Sequence, residues 1–424
     1  MLPFGGIPRP NWIEINLDHL QSNIRYFRSL LPADVKILLP VKADAYGHGS
    51  LAISFAAIEA GIDFLGVAHL FEGIALRENG VKAQILILGP CLESDFPFLI
   101  KHNLTPTIQD YKTAHKLNSQ LSTLNSQLKQ KLKPKQKDHE TPHKLNSQLS
   151  TLNSQLKIKI KIHIKTDTGM HRFGINCENI DEIKKICELP NLEAEGLYSH
   201  FATADTPEHT AVENQLAKFD KLVKELEKAG MRPPLCHIAN SPATLLFTEK
   251  THYDMVRPGV ALYGYDPLGE IPSRFAIKPV LKLRSTVRAL REVEKGEGVS
   301  YGHFFVAKKN MRVATIAIGY GDGYLRGEPN QGVIFIRGKA CPILGRVCMD
   351  ACMVDASEVP DAQIGDIAEC MDGEYSGQIS VEAFAAEHKT ISYEITTRMA
   401  RRLYRIYRYK GKIGGWNDIL LYLK

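Results

Sequence analysis

No window of this 424-residue sequence holds the uninterrupted apolar run that a bilayer-spanning helix needs, and Met1-Leu2-Pro3-Phe4-Gly5-Gly6 opens without a basic segment leading into an apolar one. Both absences argue against a membrane span and a secretory signal, so the expectation is a soluble, cytoplasmic protein with no membrane partner. Cysteine is scarce and scattered. Among the 8, Cys348 and Cys352 lie close together, yet no second pair or histidine cluster stands at zinc-finger spacing, so reduced thiols and no metal are expected. A strong excess of one charge is missing too. The net +6 gathers mainly in a lysine-rich stretch around 129–165 without the interleaved aromatics on which bases stack, so nucleic acid is not an expected partner.

What is present is ample apolar material, 44% of residues, in a chain longer than one typical domain. Between residues 35 and 265 short β-rich runs alternate with helical stretches. The runs are Lys36–Val41, Phe64–His69, Gln84–Leu88, Thr105–Ile108, Ile158–Ile164, Leu192–Ser199, Leu235–Ala239 and Met255–Tyr263, and helical spacing marks Ser50–Ala60, Asn179–Cys187 and Ala211–Ala229. This alternation predicts an α/β fold, a (β/α)8 TIM barrel, with an open doubly wound sheet as the alternative. After about residue 275 the texture changes. Val280–Leu290, Arg312–Ile318, Val333–Ile336 and Cys352–Val354 read as strands between glycine turns, with helical pattern only near Val381–Glu387 and Ile395–Leu403. The expected organisation is a barrel over 17–270, a mainly β domain over 271–424, and an N-terminal segment 1–16 whose Trp12–Asn16 lends a strand to that domain.

One stretch stands apart. The fifteen residues His115–Lys129, HKLNSQLSTLNSQLK, recur unchanged at His143–Lys157, which points to a recent duplication within about 115–157. Leucines at 117, 121, 124 and 128, and again at 145, 149, 152 and 156, would stripe two amphipathic helices that project from the barrel as a tolerated insertion, with partial disorder of the segment as the alternative.

Chemistry gathers where a barrel would place it, just after strand C-termini. Lys42 and Tyr46 follow the first run. Lys165, Asp167 and Arg172 follow the fifth, His200 the sixth, Asn240 and Ser241 the seventh, and Arg257 and Gly259 fall within the eighth. Each alone has an ordinary structural explanation: a strand-end lysine, a core histidine, a helix cap, an ion-pair arginine. Together they suit a pyridoxal phosphate site, with a lysine to bond the cofactor's carbonyl carbon, hydroxyls and backbone amides for the phosphate, and a group facing the pyridine nitrogen. Arginine in that last role, always cationic, would disfavour a protonated ring nitrogen and so restrain transamination.

At these residues the chain resembles the alanine racemases of the pyridoxal phosphate, barrel-plus-β-domain type. The motifs that carry the resemblance are Val41–Gly49, Lys165–Gly174, His200–Asp205, His237–Ser241, Arg257–Gly264, Val299–Gly302, Gly319–Gly323, Arg346–Asp350 and Tyr393-Glu394, in family order. The resemblance implies a homodimer with shared active sites that interconverts L- and D-alanine and supplies D-alanine for peptidoglycan. It implies Lys42 as the cofactor-bearing lysine and one base, and Tyr301, from the partner, as the opposite base. Arg257 would face the pyridine nitrogen, and Tyr46, Ser241, Gly259, Val260 and Tyr393 would surround the phosphate. Arg172 would meet the phenolic oxygen and the substrate carboxylate, held by a carbamylated Lys165, while His200 would orient Tyr301 and Arg257. Tyr320, Met349 and Asp350 would shape the substrate side, and the small pocket implied by Tyr320, Met349 and Tyr393 suits alanine best and serine next. The family usually has glycine where this chain has His171.

A two-base exchange across the substrate needs lysine and tyrosine, which both titrate near about 10, to be shifted by surrounding positive charge. Two rivals remain. A decarboxylase of similar architecture would need an acidic partner for the ring nitrogen, where Arg257 stands instead. A non-catalytic cofactor carrier would need neither Tyr301 nor a β domain.

Overall fold

The computed structural model describes residues 3–4, 7–8, 10–131, 158–206, 208–247, 249–374 and 377–415. The chain divides into two compact units, one of Met1–Ala33, Leu39–Ile62 and Pro258–Lys424, the other of Asp34–Leu38 and Asp63–Arg257.

Eight strands make a parallel sheet that nearly closes on itself, in chain order Lys36–Pro40, Phe64–Val67, Gln84–Pro90, Thr105–Ile108, Ile160–Asp167, Leu192–Tyr198, Leu235–His237 and Met255–Val256. Each strand neighbours the next in sequence from the first to the seventh, and the eighth pairs with the first, Met255 opposite Lys36 and Val256 opposite Ile37. The remaining seam is stitched by Asp254 N to Cys236 O and Arg257 N to Ala239 O, both at 3.0 Å. The runs are apolar on both faces because helices cover the outside and side chains fill the inside. Leu38, Phe64, Leu86, Leu235 and Met255 form one buried apolar cluster with Leu88 against it. The sheet is therefore the expected barrel.

The eighth strand is shorter than Met255–Tyr263. It stops at Val256 because Pro258 has no N–H to give a ladder and Gly259 follows, after which Val260–Tyr263 turns as a 3-10 helix.

The first copy of the repeat does not project. It lies inside the helix Tyr111–Lys131 that follows the fourth barrel strand, with Leu117 and Leu121 buried. Two asparagines seven residues apart clamp the helix on one side. Asn118 Oδ1 accepts from Asn191 N at 3.0 Å, and Asn125 bonds both backbone groups of Ile158, accepting from N at 2.9 Å and donating to O at 3.1 Å. The second copy, His143–Lys157, lies outside the described residues.

In the other unit, the sheet runs Lys339–Pro342, Val333–Ile336, Ile367–Met371, Leu281–Val293, Trp12–Asn16, Tyr404–Tyr409, Lys412–Gly414. The N-terminal strand sits in its middle, antiparallel to Leu281–Val293 and parallel to Tyr404–Tyr409. Met311–Ile316 also pairs with Leu281–Val293, and Cys352–Asp355 with Met311–Ile316. Val299, Ala307, Met311, Val313 and Leu344 pack as a small core. The helical reading of Ile395–Leu403 is corrected. The helix is Ser392–Thr397, and the chain then turns, Ala400 N donating to Asp322 O, into a strand that sequence patterning did not assign.

Candidate active site

The first barrel strand ends at Pro40, and Lys42 opens a turn in which Ala43, Asp44, Ala45 and Tyr46 take φ values of 51 to 54°. None of the four is glycine. An L-residue in left-handed conformation costs about 1–2 kcal/mol, so a run of four persists only when held from outside. The holding contacts are visible. Asp44 Oδ1 accepts from Ser50 N at 2.8 Å, Arg405 Nε donates to Gly47 O at 2.9 Å, and His48 Nδ1 donates to the carbonyls of Ala45 and Tyr46, each at 2.9 Å. His48 Nε2 lies 3.0 Å from the Tyr265 hydroxyl; burial, opposed by the two carbonyls and helped by Arg405, lowers the ring's pKa to about 3, which leaves it neutral near pH 7. Gly47, at φ 84°, lies so close to Thr396 O that a Cβ would come within 2.0 Å of it.

Tyr46 leans edge-on against Tyr263 and Tyr393, with ring centroids 5.2 and 5.7 Å away. Burial, with Tyr393 nearby, pushes its hydroxyl far above the ordinary phenol range, so it stays a neutral hydrogen-bonding group. A Cβ at Gly259 would stand 3.1 Å from the Tyr46 oxygen. The glycine thus leaves room beside a phenol for a ligand, and Val260 begins the turn just after it.

The other unit holds a buried cationic set at the C-terminal ends of its strands. Arg257 is almost fully buried, and burial lowers its pKa to about 10. Its Nη1 donates to His237 Nδ1 at 2.6 Å, and its Nη2 to Ser199 O at 2.7 Å, Ile238 O at 3.1 Å and His200 Nδ1 at 3.1 Å. Lys165 is buried as well. Desolvation, with Arg257 and Arg172 nearby, brings its amine down to about 7, so much of it is uncharged near neutrality. The face of Tyr198 supports both cations, Lys165 Nζ at 4.9 Å and the Arg257 guanidinium carbon at 5.2 Å from the ring centre. Arg172 sits exposed in the loop after the fifth strand, tied by Asp167 Oδ1, which accepts from the backbone of Gly169, Met170 and His171. His171 takes φ 55°, a glycine-favoured conformation, and its ring reaches back to Asp167 Oδ2 at 2.9 Å. Ser241 is buried at the start of the helix Ser241–Leu246, whose cap Asn240 accepts from Ala243 N.

Tyr301, Tyr320, Met349 and Asp350 stand on exposed loops of the β-rich unit, Tyr301 at 69% exposure. The loops are nonetheless built. Ser300 Oγ donates to Arg346 O at 2.6 Å, and Tyr320 N and Gly321 N donate to Cys348 O and Met349 O at 3.1 and 2.8 Å. Asp350 pairs with Arg402 at 2.7 Å, which also bonds Asp322. Within each unit, then, the structure brings together Tyr46, Gly259 and Tyr393; Lys165, His200 and Arg257; and Tyr320 with Met349. Sequence reading gave no individual role to His163, Glu195, Tyr198, Tyr263 or Arg405. A histidine and a tyrosine interrupting the apolar strands IKIHIK and EGLY were the available signal.

Comparison with known proteins agrees with this geometry. Residues 15–139 and 140–267 match the alanine racemase N-terminal domain, and residues 280–407 the alanine racemase C-terminal domain. An alanine racemase of Halothermothrix orenii is 37% identical over 410 residues, covering 96% of this chain and 99% of that protein, and one of Nostoc sp. is 35% identical over 397 residues, 93% and 95%. Among solved structures, the alanine racemase of Clostridium difficile 630 superposes with a TM-score of 0.82 at 30% identity, covering 96% of this chain and 99% of that one. The alanine racemase of Bacillus anthracis with bound L-Ala-P does so with 0.79 at 32%, covering 96% and 97%. The chain belongs to the alanine racemase family.

Proposed function

We propose that this chain interconverts L- and D-alanine by two bases acting on opposite faces of the substrate, Lys42 on one and the partner's Tyr301 on the other, and that the product D-alanine feeds peptidoglycan synthesis. The cofactor is pyridoxal 5'-phosphate, which when bound draws electrons from the substrate's Cα and makes its proton acidic. The residues fit that group. A guanidinium can only donate, so Arg257 accommodates an unprotonated ring nitrogen and would repel a protonated one. Lys42 would hold the cofactor covalently, and Tyr46, Ser241, Gly259, Val260 and Tyr393 would bind its phosphate.

The observation that carries the reading is the buried guanidinium of Arg257 surrounded by uncharged acceptors, two ring nitrogens and two carbonyls. Because it donates to His200 Nδ1, a neutral His200 keeps its proton on Nε2 and can offer it to the phenolic oxygen of the partner's Tyr301, easing proton release there. Arg172 would orient the substrate carboxylate. A lysine amine at about 7 is nucleophilic toward carbon dioxide, which supports a carbamylated Lys165 whose negative charge would steady Arg172. Tyr320, Met349 and Asp350 would bound the substrate side.

The proposal includes a homodimer with shared sites, supported by the exposure of Tyr301 on an ordered loop. It takes 17–270 as the cofactor-binding domain and 271–424 with 1–16 as the second domain, and a cytoplasmic location, supported by eight free thiols. Among the described residues no helix is long and apolar enough to cross a membrane. The test is to load the purified protein with cofactor, add L-alanine or L-serine in parallel, and separate the enantiomers. D-alanine should accumulate faster than D-serine; a loaded enzyme that leaves L-alanine unchanged overturns the reading.

A further inference from the structure

Behind Arg257 a line of hydrogen bonds crosses the barrel interior. Arg257 Nη1 meets His237 Nδ1 at 2.6 Å; His237 Nε2 meets His163 Nδ1 at 2.9 Å; His163 Nε2 meets Glu195 Oε2 at 3.4 Å; and Glu195 Oε1 meets Lys161 Nζ at 2.6 Å. Both histidines are fully buried and Glu195 nearly so, while Lys161 is half exposed. The line is a built feature. A Cβ at Gly196 would lie 2.3 Å from His163 Nδ1, so that position must be glycine for the ring to stand where it does, and the register between the fifth and sixth strands shifts at Ala194/Gly196. Tyr198 stacks on His237 at 4.8 Å with planes 2° apart and locks the second ring.

The direction of every bond follows from its ends. Arginine can only donate, so His237 Nδ1 accepts; a neutral His237 then carries its proton on Nε2 and donates to His163 Nδ1; a neutral His163 carries its proton on Nε2 and donates to Glu195. An ionised carboxylate can only accept, so both ends impose the same polarity. Burial, with Arg257 beside His237, lowers both histidines, as neutrality requires. Burial works against the Glu195 charge, but bonds from His163 and Lys161 hold its carboxyl below the usual range.

We propose that Glu195 is a positioning residue: it is the counter-charge of Arg257, acting two imidazoles away, and it fixes both histidines as Nε2–H tautomers so that the guanidinium stays aimed at the cofactor's ring nitrogen. The inference rests on the racemase reading for its consequence, though not for its geometry. Remote placement has a chemical logic. A carboxylate touching Arg257 would put negative charge beside the ring nitrogen and favour its protonation, whereas one relayed through neutral rings anchors the guanidinium without doing so.

The test has two arms. Nitrogen-15 NMR of histidine-labelled protein without cofactor should show His163 and His237 as Nε2–H tautomers; either ring protonated at Nδ1 overturns the proposal before any variant is made. In Glu195→Gln the His163 Nε2 proton should move upfield and exchange faster with water. In the loaded enzyme, kcat should fall with KM for alanine little changed, and the ratio of pyruvate formed to racemisation turnovers should rise about tenfold, the factor of one pKa unit at the ring nitrogen. Glu195→Asp, which keeps the charge, should recover much of the wild-type ratio. A folded Glu195→Gln with wild-type histidine signals and wild-type partition reduces Glu195 to a structural role and sinks the idea. If the tautomers hold but no racemisation occurs in wild type, the functional reading fails and the relay stands.

Discussion

The cations inside the barrel and the loops that carry Tyr301, Tyr320 and Met349 handle reactive groups in opposite ways. Lys165 and Arg257 are buried, each held by named acceptors or an aromatic face, and desolvation shifts both. Tyr301 is largely exposed, and what is fixed is the loop beneath it, through Ser300 and Arg346. The barrel pair finds these contacts within one chain. The loop set presents a tyrosine, a second tyrosine and a methionine to water, the surface that the proposed second copy would cover.

The strongest way to break this comparison is at the lysine. Lys42→Ala should lose at least roughly 10³-fold in kcat, within the range for removing a positioned base that also anchors the cofactor. Borohydride reduction and peptide mapping of the wild type should place the label on Lys42; a label on Lys165 would make the buried set the covalent site instead. Next comes Tyr301→Phe, expected to cost roughly 10²–10⁴-fold in kcat. Mixed at equal amounts with Lys42→Ala, it should restore about a quarter of wild-type activity, since half the symmetric dimers are hybrids with one intact site. Demonstrated subunit exchange without recovery would mean the exposed loop serves its own chain.

A smaller effect sharpens the buried side. His48 has a folded pKa of about 3 against an ordinary 6.5. Between those values the unfolded chain binds a proton that the native state refuses, so stability is fully present above about 6.5 and falls as pH drops toward 3. His48→Gln should flatten that acid limb in urea-midpoint measurements across pH 4–7, at the cost of a weaker turn after Lys42. An unchanged slope would show that His48 does not set it.

Much of the fold was legible because the barrel strands are apolar runs of the right length. Thr105–Ile108 was placed to the residue, as were Val333–Ile336 and Trp12–Asn16. What escaped was decided by distant partners. Tyr404–Tyr409 reads YRIYRY, with no strict alternation, and the partner that places it inside the sheet is Trp12–Asn16, from far upstream in the chain. The candidate site residues were proposed from motifs, whereas His163 and Glu195 belong to no motif and are brought together only by the register of the fifth and sixth strands. The repeat misled for another reason. Its leucine stripe was real, but Asn118 and Asn125 make it a barrel helix.

The two mildest predictions concern this helix and the loop after the fifth strand. Excising residues 115–142 leaves one copy of the fifteen residues, so the same leucines and asparagines are available to the slot. Racemase activity should stay within about twofold and stability should change little, as loop closure costs only about 0.6 kcal/mol per doubling of length. A folded deletion that loses cofactor or its assembly state would show that both copies are needed. His171→Gly relieves a left-handed histidine but loses its bond to Asp167 at an exposed site, so thermal stability should move by less than about 1 kcal/mol in either direction.

The left-handed turn after Lys42 also bears on the order in which the molecule is assembled. Each of Ala43 to Tyr46 sits in its disfavoured basin, and beside the local bonds from Ser50 and His48 a distant restraint arrives from Arg405 at Gly47 O. Arg405 is 358 positions downstream of Gly47. A nascent chain therefore completes its first barrel strand long before Arg405, which ties the turn at that strand's end, has been made. The turn works as a checkpoint: a polypeptide cut before Tyr404–Tyr409 carries Lys42 but lacks the Arg405 bond that ties the turn at Gly47.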